Sequence, residues 1–246
     1  MPGEFRGARR YHAPMRVFPG LLSVAVALAS GLFILAVAIS PFLTPTWVAF
    51  EQDRADAAGW TGYNRDELRT ATDSILSDLV LGPPNFAVTV RGTPVLTAGE
   101  REHMRDVRGV FTAFYLTAAG ALVILLVMRL VARGTGLWSR ARFLGSVRAG
   151  AVGLAIVIVA AGAVAAVAFD AAFEVFHRLF FAAGTYNFDP QTYRLVQLFP
   201  DVFWSETTMA VGGLTLFLSL VVALVATRRL RADRASRAAG PEGDAR

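Results

Sequence analysis

The chain has 246 residues, 54% of them hydrophobic, and a mean hydropathy of +0.48, an average that points away from a soluble domain and toward a membrane protein. There is no cysteine, which excludes disulfides, thiolate metal sites and cysteine nucleophiles. All 24 basic residues are arginine, which removes lysine chemistry such as a Schiff base, and the net charge of +5 reads as a nucleic-acid signal only until the arginines are placed along the chain.

A bilayer core of about 30 Å needs about 20 apolar residues of helix. Four stretches free of Asp, Glu, Arg and His are long enough. Residues 1–16 form a basic tail with Arg6, Arg9, Arg10, Arg16 and His12. The first span is expected at 17–43. Ala36-Val37-Ala38 fits a leader cleavage site, but the apolar run exceeds the ~7–15 residues of a leader, so the span is expected to be retained. Residues 44–108 are too long for a plain connection. They read as a small folded α+β cap: Asn64 and Glu67 make a capping box, and Leu68, Ile75, Leu76 and Leu79 recur at helical spacing. Gly82-Pro83-Pro84 stops that helix. Phe86, Val88 and Val90 alternate as in a strand, with Val95-Leu96 as its return. Thr97 and Glu100 form a second capping box, opening a helix that runs unbroken into the second span at 109–132.

The third span is expected at 149–169, after a loop over 133–148, and the fourth at 207–227. Between them lies an aromatic-rich loop, 170–206, in which Asp189-Pro190 looks like a helix start and Asp201 like another. Residues 228–246 form a second basic tail. Arginines crowd the first tail, the 133–148 loop (Arg129, Arg133, Arg140, Arg142, Arg148) and the last tail (Arg228, Arg229, Arg231, Arg234, Arg237), while the other two loops hold most of the acids. The positive-inside bias therefore predicts both termini in the cytoplasm and both long loops outside. It also explains the basic charge without nucleic acid. The expected fold is all-α and membrane-integral, a four-helix bundle with a small extracytoplasmic cap. Gly and Ala between 150 and 168 predict close helix approach. No ionisable side chain lies deep in a span, which argues against a pump or ion-coupled carrier.

Two of the three histidines fall on the outer loops, His103 and His177. His103 shares a helix face with Asp106 and sits one to two turns above the apolar segment, at about 1.5 Å per residue. An aromatic interfacial loop more often anchors than binds substrate, and a lone histidine is more often structural than catalytic; the pairing favours a site.

The strings Glu100-Arg101-Glu102-His103-Met104-Arg105-Asp106-Val107, Phe176-His177 with Phe180-Phe181, Phe188-Asp189-Pro190, and Leu198-Phe199-Pro200 with Phe203-Trp204 resemble the motifs of a family of bacterial four-span membrane proteins that includes the lipoprotein intramolecular transacylase. The resemblance runs from the first span to the fourth. Tyr186-Asn187 stands where many relatives have a tryptophan. The resemblance implies an acyltransferase of the bacterial cytoplasmic membrane that meets membrane lipids and a diacylated lipoprotein. It would move the sn-2 acyl chain of diacylglyceryl-cysteine onto that cysteine's own amine at the outer leaflet. It also implies that His103 and His177 are the catalytic pair.

The residues suit that chemistry. An α-amine, with a reference pKa of about 7.7–8.0, must lose a proton before it attacks an ester, and histidine is suited to take it. Asp106 is the candidate to orient His103 and favour its imidazolium. The second histidine would serve the leaving oxygen or the oxyanion. Arg105 and Arg108 are candidates for lipid contact, and Phe176, Phe180, Phe181 and Trp204 for guiding acyl chains. No cofactor is required, and the spacing fits no standard metal site or Gly-x-Ser-x-Gly hydrolase. Two other readings stay open, a non-enzymatic membrane module or assembly partner and, last, a neutral-solute carrier.

Overall fold

A computed structural model describes residues 17–134, 138–182 and 184–238. The expected tails at 1–16, His12 included, and 239–246 lie outside the described residues. Among the described residues, four helices are long and apolar enough to cross a membrane. They are α1 (Val17–Ile39), prolonged by a 3-10 turn at Ser40–Leu43, then α5 (Ala98–Gly134), α6 (Arg140–Phe180) and α8 (Asp201–Ala238). Between the first two stand α2 (Pro45–Arg54), α3 (Ala57–Thr61), α4 (Arg65–Val80) and a hairpin of β1 (Thr89–Val90) and β2 (Thr93–Pro94); α7 (Arg194–Leu198) precedes α8.

In the bundle α1 packs against α5, α6 and α8, and α6 lies along α8. Small residues set the α1–α6 crossing. A Cβ added at Gly150 would run into the Ala27 carbonyl, and one at Gly31 would lie 3.5 Å from the Gly150 carbonyl oxygen. This is the close approach that glycine and alanine permit between helices in lipid. At one end a small core of Val26, Met128, Trp138 and Phe143 closes the bundle.

At the other end the short elements form a head with its own core. Leu68, Ala71, Ile75, Leu76 and Leu79 of α4 pack with Phe86, Val88, Val90, Val95 and Leu96, and with Met104 of α5, Leu195 and Leu198 of α7, and Phe203 of α8. Both expected capping boxes form. Asn64 Oδ1 accepts from Glu67 N (3.0 Å) while Glu67 accepts from Asn64 N (2.9 Å). Thr97 and Glu100 do the same at the start of α5. The head is fastened to the bundle by Arg54, whose guanidinium donates to Glu206 at 2.5 and 2.8 Å, and by Trp47 Nε1 on Thr207 Oγ1 (3.2 Å); within the head, Gln52 Nε2 donates to the Leu198 carbonyl of α7 (3.0 Å).

Three local expectations change. The hairpin is shorter and later than the alternation suggested, pairing Thr89 with Pro94 and Val90 with Thr93. Phe86 instead takes a left-handed conformation (φ 50°) with its N–H held by the buried Asp78 carboxylate at 2.8 Å. The aromatic loop is helical as far as Phe180, because Asp170 ends an apolar run but nothing breaks the helix before Gly184; a kink at Ala168 (φ −150°, ψ 53°) re-aims its last turns. Asp189-Pro190 makes only a turn, in which Asp189 Oδ1 accepts from Gln191 N and its carbonyl from Thr192 N and Tyr193 N.

Candidate active site

The capping box fixes where α5 begins, and with it the direction of His103, one turn further on. Glu100 does more than cap. It is fully buried, with Oε2 on Thr97 N (2.7 Å) and Oε1 on Leu195 N (2.7 Å), so it ties α7 to the turn that bears His103. His177 comes from the last turns of α6, beyond the kink. The imidazoles lie nearly parallel with centroids 6.1 Å apart.

Their surroundings differ. His103 is buried, its ring against Phe181 (4.8 Å) and Phe188 (5.6 Å), and its Nδ1 has no hydrogen-bond partner among the described residues. Burial first, then the nearby His177, pushes His103 down to about 4; the Asp106 charge pulls the other way and does not prevail. Asp106 thus acts in the expected direction, favouring the imidazolium, but burial outweighs it. Asp106 is exposed and acts on the ring only through its charge, so His103 is neutral at physiological pH.

His177 is half-buried. Its Nδ1 lies 2.8 Å from the Phe173 carbonyl, an acceptor only, so Nδ1 carries the proton and donates it. The neutral ring then has its lone pair on Nε2, the arrangement of a base. Phe173 (4.2 Å), Tyr186 (5.0 Å), Phe176 (5.5 Å) and Phe181 (5.5 Å) surround it. Tyr186, at the position where a tryptophan was expected, lies tilted against His177 and donates its hydroxyl to Glu174 (3.3 Å), which also takes Arg178 Nε (2.7 Å). His177 faces a cavity of about 510 Å³ whose walls include Phe173, Tyr186, Phe188 and Trp60.

The remaining candidates separate. Phe181 packs against both histidines (4.8 and 5.5 Å). Phe176, Phe180 and Trp204 are exposed or partly so, and none of them lines the cavity. Trp204 leans on Phe173, which does (6.1 Å). Arg105 is exposed. Arg108 turns away to the end of α4, donating from Nη1 to the Asp78 carbonyl and to that of Gly82 (2.5 Å). Sequence reasoning missed the second bond of Glu100, the contact of Tyr186 with His177 and the presence of Trp60. The first had a partial signal in the capping box; the others depend on long-range contacts. No group of three His, Cys, Asp or Glu among the described residues is placed to hold a metal.

Four apolar helices and a histidine pair at one end, boxed by aromatic rings beside a cavity, define a multi-pass membrane protein with a candidate site at that end. The chain belongs to the lipoprotein intramolecular transacylase Lit family, which matches residues 23–204, and is therefore an acyltransferase with a role in modifying membrane lipoproteins. Among solved structures it is similar to the membrane-integral lipoprotein intramolecular transacylase Lit from Bacillus cereus, with a TM-score of 0.73 at 18% identity over 89% of this chain and 99% of that one. Two variants of that protein with one histidine replaced are also similar. The arginine variant gives 0.71 at 19% identity (89% and 95% covered), and the alanine variant 0.69 at 18% (89% and 96%). At such identity the likeness is one of fold. No curated protein matches.

Proposed function

We propose that this chain moves an acyl chain from the glycerol of a diacylglyceryl-cysteine to the amine of that same cysteine, at the outer leaflet of the cytoplasmic membrane. The observation that carries the reading is the parallel histidine pair, with one ring lining a cavity and its Nε2 left as a base. The amine, once it has released its ammonium proton to solvent, attacks the ester carbonyl through its nitrogen, and His177 takes a second proton from that nitrogen. The carbon–oxygen bond to glycerol then breaks, and the proton passes from His177 to the departing glycerol oxygen. Atoms and charge balance without a cofactor. Donor and acceptor belong to one molecule, so the site need only fold the headgroup so that nitrogen meets carbonyl. His103 stays neutral and supplies a polar group inside the aromatic box, where a bond to a developing oxyanion is strong because water is scarce. Asp106 tempers the ring through its charge, and Arg105 is free to meet a lipid headgroup.

The arginines support the orientation. Arg129 and Arg133 of α5, Arg140, Arg142 and Arg148 of α6 and the run from Arg228 on α8 lie at the helix ends opposite the histidines, while Arg101, Arg105, Arg108 and Arg178 share the histidine end with most of the acids; that balance favours cytoplasmic termini and an outward head. The cavity beside His177 also favours an enzyme over a purely structural module, whose histidines would be sealed by local bonds. The test is mass spectrometry of a model lipoprotein in a host lacking other N-acylation. Wild type should yield the N-acyl, S-monoacyl form, and His103→Ala and His177→Ala should each abolish it. Normal product from both variants would overturn the reading.

A further inference from the structure

The reaction cavity is not closed on its far side. A second cleft of about 500 Å³ adjoins it, and Trp60 and Pro190 belong to the walls of both. Beyond them the lining changes character. In place of Phe173, Tyr186 and Phe188 come Asp56, Gly59, Gln191, Arg194 and Gln197. We propose that this cleft, between α3 and the 190–197 segment, is a binding subsite for the polypeptide that follows the acylated cysteine. The inference rests on the transacylase reading and deepens it.

Such a substrate has three chemically unlike parts: acyl chains, an ester and amine headgroup, and a water-soluble peptide. The headgroup must reach His177, and the acyl chains belong with lipid. The peptide needs a polar exit from the same cavity, and the second cleft adjoins that cavity directly. Trp60 stands at the junction, 46% exposed, with no ring stacked on it among the described residues. A half-exposed indole beside two openings offers a flat apolar face and an N–H, both suited to a backbone crossing over it.

The cleft is also held in shape. Asp56, in the left-handed region (φ 53°), caps α3 by accepting from Gly59 N (3.2 Å). Arg194 donates to the Thr61 carbonyl (3.1 Å) and to Gln197 Oε1 (2.5 Å) and lies over the Tyr63 ring, while Gln197 Nε2 holds the Pro190 carbonyl (2.7 Å). These bonds brace the two walls against each other. The exposed Gln191 makes no side-chain hydrogen bond among the described residues, so its amide has both a donor and an acceptor to offer a passing peptide.

The experiment compares two synthetic substrates in detergent micelles with the full-length protein. One is diacylglyceryl-cysteine amide; the other carries the same lipid on a short polar peptide. Wild type should convert the lipopeptide with the higher kcat/KM. In Trp60→Ala the ratio of kcat/KM, lipopeptide over amide, should fall about tenfold (roughly 1.4 kcal/mol). Gln191→Ala should move the ratio in the same direction by less, and serves as the reporter should Trp60→Ala fold poorly. A wild-type ratio of one, or variants that lose both substrates in proportion, would overturn the subsite and leave the reaction standing. Conversion of neither substrate by wild type would remove the transacylase reading and the subsite with it.

Discussion

In the bundle, backbones touch and most polar side chains turn inward on their own helices, with crossings such as Ser40–Tyr115 and Arg140–Asp233 only toward the helix ends, whereas in the head, polar side chains reach across from one element to another. Ser30, Thr117, Thr215 and Thr227 each donate to the carbonyl four residues back, so none of them holds two helices together. What joins α1 to α6 is the absence of a side chain at Gly150. The head has no such crossing. There Glu100, Gln52, Arg54, Arg108 and Arg194 each bond to an element distant in sequence. Lipid explains the contrast. In the bundle the surroundings are as apolar as the side chains, so packing must do the joining. The head has an apolar core of its own, formed by burial, and bonds to distant backbone groups then fix its shape. The histidine pair lies at the junction, carried on bundle helices but aimed by the head.

The largest effect expected from this contrast is at Glu100. Glu100→Ala leaves the N–H groups of Thr97 and Leu195 without their acceptor and should cost about 3 kcal/mol. It should also reduce activity, because α7 loses its hold on the turn bearing His103. Thermal unfolding in detergent measures the first and turnover of a lipopeptide the second. Glu100→Gln keeps one acceptor oxygen and should recover part of both. An alanine variant as stable as wild type would mean that the head is held by its apolar core alone.

How far the sequence foretold these parts follows from the range of the forces. The four spans, the cap boxes at Asn64 and Thr97 and the unbroken α5 were legible, because hydropathy and capping act within a few residues. The family strings marked His103 and His177 as the pair. The same local logic failed where a signal had two meanings. Asp170 was read as the end of a helix when it ended only an apolar run. Asp189-Pro190 looked like a helix start and became a turn. Asp106 is next to His103 on the helix face, yet burial outweighs its charge, and burial depends on Phe181 and Phe188 arriving from far along the chain. Trp60 had no local signal, since the role proposed for it depends on two cavities built by other segments.

The bundle side of the comparison is sharpened at Gly150. Gly150→Ala forces a methyl against the Ala27 carbonyl and should destabilise by about 2 kcal/mol, as overpacking does. Gly153→Ala, where a Cβ meets nothing within 4 Å, should stay within about 0.5 kcal/mol of wild type. Unfolding in mixed micelles with increasing denaturing detergent separates the two. Equal stability would show that α1 and α6 can slide apart without loss, and that close approach is not what holds them.

The smallest effect divides two arginines one helical turn apart. Arg108 is spent on structure, its Nη1 holding carbonyls at the end of α4 where the helix leaves them without amide partners. Positive charge there also suits the helix dipole. Arg108→Ala should therefore cost about 1 kcal/mol in the unfolding of the head. Arg105 is exposed and makes no ion pair among the described residues, so Arg105→Ala should leave stability within about 0.5 kcal/mol of wild type. Its effect should instead appear as a raised KM for a lipid substrate, with kcat little changed, if the free guanidinium meets the headgroup. The two neighbouring arginines would then differ in kind: Arg108 read by calorimetry, Arg105 by kinetics. A stability loss at Arg105, or a pure KM effect at Arg108, would mean that the surfaces assigned here to fold and to substrate are exchanged.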